Sequence, residues 1–149
     1  MRTIQKMYEH LNWANQRILV TLQCIEEENQ EVNRLFSHIL LAEKVWLTRI
    51  QGLDSSRLPI WSDVNLEVCA DLVRQNEGSF SAFLTNLAET DLDKSISYTN
   101  SKGKEFNSSI RDILTHVALH GHYHRGQINS RLRVDSIEPV NIDFISFVR

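Results

Sequence analysis

The stretch Ser109-Ile-Arg-Asp112-Ile113-Leu114-Thr-His116-Val117-Ala-Leu-His120-Gly121-His122-Tyr-His124-Arg125-Gly126-Gln127-Ile128 decides the fold class. Ser109 with Asp112 three residues later is a capping-box signature, in which a side-chain oxygen satisfies an orphan N–H of the first helical turn. Behind it Ile110, Ile113, Leu114, Val117, Ile128 and Leu132 keep the helical period, so a helix is expected to reach about Arg133. The same stretch carries four of the chain's six histidines. His116, His120 and His124 repeat every four residues. Four residues turn a helix about 400°, so each imidazole stands one turn from the next and only about 40° around the axis. A helix offers two imidazoles to one metal ion at this spacing, as in the H-E-x-x-H zinc helix.

Three further amphipathic segments precede this one. The first runs from about Thr3 to Glu28, with Ile4, Met7, Leu11, Ala14, Ile18 and Leu22 in helical register. Glu26-Glu27-Glu28 sits poorly at a helix C-terminus, where the dipole disfavours negative charge, so fraying or a stop is expected there. The second starts near Asn33 and ends at Gly52, a natural residue just past a helix end. Leu35, Ile39, Ala42, Val45, Trp46 and Arg49 line one side of it, and His38 stands among them. The third begins after an Asn65 cap and runs to about Glu89. Leu66, Leu72, Val73, Phe80, Phe83, Leu84 and Leu87 form its apolar face, and Gly78 interrupts the pattern. Ile96–Thr99 and Lys104–Asn107 flank Asn100-Ser101-Lys102-Gly103 and read as a short hairpin. The expected fold is all-α: a four-helix bundle in one domain, residues 1–149, with a short β-hairpin before the last helix. The tail after Pro139, with Phe144-Ile145-Ser146-Phe147, is too apolar to hang free and should pack on the bundle or on a partner chain.

Bulk properties agree with a folded globule. The chain has 149 residues, 42% hydrophobic, and a formal net charge of −3. Its basic residues are scattered, which argues against a nucleic-acid binder. It has no apolar run long enough to span a membrane and no apolar core of a signal peptide near the N-terminus. Cys24 and Cys69 form no C-x-x-C pair. A reduced cytoplasmic setting with both thiols as small core residues is the simplest reading, and a Cys24–Cys69 disulfide is the alternative.

His120 and His124 share a face with Ile113, Val117 and Ile128 and should look into the bundle. The pairs 116/120 and 120/124 are both geometrically able to chelate. All three on one ion are not, because His116 and His124 lie about 12 Å apart along a straight helix. A third ligand must come from another helix. His38 is the best placed, because it interrupts an apolar stripe and a buried imidazole needs a partner. His10 flanks its stripe rather than joining it, and His122 points about 200° away from His120. Glu43 lies more than one turn from His38 and reads as a solvated helix residue rather than a general base. Trp13, Trp46 and Trp61 read as core or rim packing. Gly121 and Gly126 allow a close approach by a helix or ligand. No Ser-His-Asp order, P-loop or dinucleotide fingerprint is present.

The histidine stretch, ending His124-Arg125-Gly126-Gln127, resembles the final-helix signature of the DinB/YfiT-like (DUF664) bacterial proteins. Leu11-Asn-Trp-Ala-Asn-Gln-Arg17 is similar to the family's first helix and Ser37-His38-Ile-Leu-Leu-Ala-Glu-Lys-Val-Trp46 to its second. Pro139 and Asp143-Phe144-Ile145 also fit, so the resemblance spans essentially the whole chain. It implies a four-helix bundle with a divalent metal held by His38, His120 and His124, and it places His116 beside the site rather than on the ion. It further implies a homodimer. Better-understood relatives include metal-dependent transferases of low-molecular-weight thiols such as bacillithiol, mycothiol or glutathione. The family name comes from DNA-damage-inducible expression and is shared by accident with a translesion polymerase, which this chain does not resemble.

A three-histidine set leaves a coordination position for water or substrate. Neutral ligands keep the ion's charge available as a Lewis acid, and a bound thiol would lose its proton near neutral pH. The expected function is therefore a metal-dependent enzyme, with thiol S-transfer to a small-molecule electrophile as the leading reaction. Hydrolysis at the same centre is the nearest rival. A non-catalytic metal-binding or stress-response protein, or a dimerisation module built on the tail, stands as the other class. Zn²⁺ is the expected ion, and Ni²⁺, Mn²⁺ and Fe²⁺ are compatible with imidazole. No nucleic acid and no membrane is expected as a partner.

Overall fold

A computed structural model describes residues 1–149. Four long helices form the bundle: α1 (Arg2–Gln23), α2 (Gln30–Ile50), α3 (Leu66–Asn86) and α4 (Ile110–Val134). A 3₁₀ turn (Glu89–Asp91) and the antiparallel hairpin β1 (Ser95–Thr99) and β2 (Glu105–Ser109) link α3 to α4, and a one-turn-and-a-half helix α5 (Phe144–Val148) follows the bundle. The hairpin register pairs Ser95 with Ser109 and Thr99 with Glu105. No helix is long and apolar enough to cross a membrane.

The helix ends follow local chemistry. Helix α1 stops at Gln23, five residues before the expected Glu28, which leaves the acidic run outside the helix whose dipole it would oppose. Helix α2 starts earlier than expected, because Asn29 caps it: its side chain accepts from the Val32 N–H at 3.1 Å. Gly52 takes φ +72° past the end of α2, and the Leu53 N–H reaches back to the Thr48 carbonyl, closing a Schellman-type stop. Asn65 caps α3 as expected. At α4 the Ser109 hydroxyl accepts from the Asp112 N–H at 3.0 Å and donates to the Asp112 carboxylate at 2.7 Å. The tail packs on the bundle. Val140 and Ile142 enter the core, and the Asn129 amide clasps the Val140 backbone in both directions at 2.9 and 2.8 Å. Phe144 and Phe147 of α5 close on the His10 ring.

The core is two apolar clusters rather than one. One gathers Ala14, Ile18, Phe36, Ile39, Cys69, Val73, Ile128 and Leu132; the other gathers Tyr8, Leu11, Leu47, Phe80, Leu84, Ile113 and Val117. Between them lies a buried polar layer with one residue from each long helix: Asn15, Glu43, Asn76 and Arg125. The Arg125 Nη1 donates to Asn15 Oδ1 at 2.7 Å, Asn15 Nδ2 donates to Glu43 Oε1 at 2.8 Å, and Asn76 Nδ2 donates to Glu43 Oε2 at 3.0 Å. Glu43 is thus interior, contrary to the expected solvated residue. It follows Ile39 by four and so shares its buried face. Burial pushes the Glu43 carboxyl up, against the two amides and the Arg125 charge; burial also pulls Arg125 down to about 10.

Gly121 is where this layer meets α4. A methyl group there would stand 3.0 Å from Arg125 Nη1, whereas one at Gly126 would meet nothing within 4 Å. Arg125 is fully buried and cannot swing clear. Gly121→Ala is therefore expected to destabilise by about 1 kcal/mol, overcrowding outweighing the gain in helix propensity. Gly126→Ala should stabilise by about 0.5–1 kcal/mol. Urea unfolding of the two variants checks the contrast; equal shifts would contradict it.

Candidate metal centre

Helices α2 and α4 bring His38, His120 and His124 together, with one potential ligand nitrogen from each within 4.8 Å of the others. His38 and His124 are buried at 4% and 8% exposure, and His120 is half-buried. His120 Nε2 lies 3.1 Å from His38 Nε2 and 3.1 Å from His124 Nε2. Two nitrogens at that separation can both lie about 2.0–2.1 Å from a common point, the distance zinc requires.

The outer nitrogens decide the tautomers. His38 Nδ1 faces the Ile60 carbonyl at 2.9 Å, which can only accept, so Nδ1 carries the proton. His124 Nδ1 faces Gln127 Oε1 at 2.7 Å, while the Gln127 amide nitrogen points to the Tyr123 hydroxyl. Nδ1 is again the donor. Both rings therefore present an Nε2 lone pair to the third. His120 can supply at most one proton on its own Nε2, so three neutral imidazoles leave at least one lone pair with no hydrogen to accept. A cation resolves that conflict directly, and the donor set fits a divalent ion that accepts imidazole.

Charge state points the same way. Burial, then the neighbouring His124, His38, His116 and Arg125, lowers His120 to about 4. Burial also lowers His38. Both rings are neutral at pH 7, ready to ligate. A His pKa depressed on folding adds stability that is fully present above its ordinary value of 6.5 and is lost as pH falls towards about 4, where the unfolded chain binds the proton and the folded chain resists it. Metal-free protein should thus lose stability between pH 6.5 and 4, and His120→Asn should flatten that slope. Denaturation midpoints across the window check it; a slope unchanged by the substitution would be the contrary result.

The rim is aromatic. Trp61 lies flat on the His38 ring, 3.6 Å between centroids and 2° between planes, which is more specific than the packing role expected for it. His116 stands apart from the three nitrogens, against Trp46 at 5.1 Å and His120 at 5.4 Å between ring centres. His10 and His122 lie on another face, near each other and α5; His10 Nε2 donates to the Ile142 carbonyl at 2.7 Å. Cys24 is exposed rather than in the core, Cys69 is buried, and both are free.

Sequence reasoning missed Ile60 and Gln127, which orient the ligands. Gln127 was detectable, since it follows His124 by three residues on one helix. Ile60 was not, because it acts through its backbone. Gln127→Ala should keep the site but weaken metal affinity by about 10–100-fold, as loss of a ligand's supporting acceptor does. A chelator competition titration measures this, and unchanged affinity would show that Gln127 does not hold the ring.

A sequence model of the DinB family matches residues 1–149. "Protein DinB" of Bacillus subtilis (strain 168) is 27% identical over 143 residues, covering 86% of this chain and 83% of that protein. A solved DinB-like protein from Bacillus cereus ATCC 10987 superposes with a TM-score of 0.63 at 18% identity, covering 93% of this chain and 95% of that one, and shares its fold.

Proposed function

The chain belongs to the DinB family, and we propose that it is a metal-dependent enzyme in which His38, His120 and His124 hold one divalent ion and a low-molecular-weight thiol is transferred to an electrophilic small molecule. The observation that carries this reading is the convergence of three Nε2 atoms, two of them fixed as lone-pair donors by Ile60 and Gln127. An ion in that set would supply Lewis acidity, lowering the pKa of a coordinated thiol towards neutrality. The chain's own residues do the rest. Three neutral ligands leave the ion's charge uncompensated, the Ile60 carbonyl and Gln127 amide hold two rings in place, and Trp61 covers a face of His38. His116 packs beside the set against Trp46 and His120, and desolvation lowers its pKa, which favours the neutral imidazole.

The donor set supports an open centre over a structural one. Structural zinc sites usually have four protein ligands, often cysteines, whereas this cluster has three histidines and no cysteine. The test is a thiol-conjugation assay. Protein loaded with Zn²⁺, Ni²⁺, Mn²⁺ or Fe²⁺ is given bacillithiol, mycothiol or glutathione and a chloroaromatic electrophile, with His120→Ala as control. Metal-dependent thioether formation that is lost in the variant supports the transferase. Ester hydrolysis without thiol moves the reading to a hydrolase, and no reaction with any pairing leaves a non-catalytic metal protein.

A further inference from the structure

A cavity of about 940 Å³ lies between the loop after α2 and the β1–β2 hairpin, within the size range of small-molecule sites. It adjoins the triad through Ile60 and Trp61, which line it and also hold His38 by hydrogen bond and by stacking. Arg49 lines the same cavity and is only 7% exposed. Its Nε donates to Ser55 Oγ at 3.1 Å and its Nη2 to the Thr99 carbonyl at 3.4 Å, both neutral acceptors. Its guanidinium lies over Trp46 at 4.6 Å and Tyr98 at 5.3 Å.

Arg49 takes part in none of the chain's ion pairs. The single acid lining the cavity, Asp54, accepts instead from the Ser56 N–H at 2.8 Å and the Ser56 hydroxyl at 2.9 Å. A guanidinium carries five N–H donors, and these contacts use two of them. A buried cation without a counter-charge is costly, and the two rings offset only part of that cost. An arginine that also had only to tie the loop to the hairpin could be replaced by a neutral donor. What distinguishes this one is its charge, left without an anion at the wall of a cavity.

We propose that the cavity binds an oxyanion-bearing small molecule, a carboxylate or a phosphate, with the anionic group on Arg49 and the remainder extending towards Trp61 and the triad. As the anchor of a substrate this rests on the metal-centre reading; as a binding site it does not. Arg49 and His38 stand eleven residues apart on α2, about three turns, so they share a face at roughly 16 Å along the axis. The Arg49 side chain leans back over Trp46, as helical side chains do, shortening the gap. An occupant that meets both would span on the order of 10 Å, which selects an extended molecule whose anionic group is remote from its reacting atom.

The test uses the metal-free 149-residue chain and its tryptophan fluorescence, since Trp46 lies under Arg49 and Trp61 lines the cavity. Glutarate and inorganic phosphate are the probes, with neutral glutaramide as control; the two anions distinguish the oxyanion sources. A saturable change with at least one anion and none with glutaramide is expected, weakened about tenfold or more in Arg49→Gln. Arg49→Lys keeps the charge but loses the planar fork, and should weaken binding by a smaller factor. His120→Ala should bind the probe like wild type, which separates this site from the metal centre. No saturable change with either anion, or equal binding in Arg49→Gln, overturns the proposal. If Arg49→Gln does not fold, unchanged binding in Arg49→Lys does so.

Discussion

His120→Ala is expected to carry no stoichiometric metal, where the wild-type chain, purified without an affinity tag and supplied with Zn²⁺, Ni²⁺ or Mn²⁺, carries about one ion per chain. His120 is the central member of the set: its Nε2 is 3.1 Å from each of the other two, so its loss leaves two imidazoles from different helices with nothing between them. His38→Ala and His124→Ala should fail as well, each leaving two ligands where catalytic zinc sites use three. The discriminating variants are the neighbours. His122→Ala should keep full occupancy, because its ring lies by His10 on another face. His116→Ala should keep the ion too, because its ring is held against Trp46 and lies outside the three-nitrogen cluster. Elemental mass spectrometry on the five variants decides it. Equal metal loss in His122→Ala would sink the helical-face argument, and retention in His124→Ala with loss in His116→Ala would move the site one turn along α4.

The second large effect lies in the polar layer. Glu43→Ala should destabilise by about 3–5 kcal/mol, because it leaves the fully buried Arg125 charge without the carboxylate that Asn15 links to it, takes the acceptor from Asn15, and takes one of two acceptors from Asn76, which keeps the Leu40 carbonyl. The layer is already under-satisfied: Arg125 Nε is buried with no partner. Glu43→Leu combined with Arg125→Met should recover much of the loss, since the two opposite charges, bridged by Asn15 rather than in direct contact, are removed together, and replacing buried charges as a unit is often neutral or better. Loss of the exposed pair Lys6–Glu9 by Glu9→Ala should cost under about 1 kcal/mol. Urea unfolding of the single and double variants gives the coupling directly. Simple additivity of the two single losses would show that Glu43 and Arg125 do not act together.

These two sites show different degrees of legibility. The spans of α1 to α4 were readable because apolar side chains recur with the helical period, and a period is a local property of the chain. Helix ends were less so: Asn29 caps α2 four residues before the expected start, and the acidic run after α1 lies beyond a stop that periodicity does not mark. Glu43 sat in plain view on a buried stripe, but it reads as a solvated residue until its partners on other helices are known, and Arg125 carries no local mark of the layer it joins.

By itself the sequence determined that four amphipathic helices would bundle, that α4 carries imidazoles on one inward face, and that His38 interrupts a stripe that should be buried. It also narrowed the chelating pair to 116/120 or 120/124 without choosing between them. Only the tertiary structure placed His38 beside 120 and 124 and set His116 against Trp46. It also fixed two tautomers through the Ile60 carbonyl and the Gln127 amide, and gathered one polar residue from each helix into the layer that divides the core. The reason is physical: periodicity is written along one helix, whereas the rotation and height of one helix against another are set by side-chain packing between them. Backbone acceptors such as that of Ile60 leave no mark in the identity of the residue that carries them.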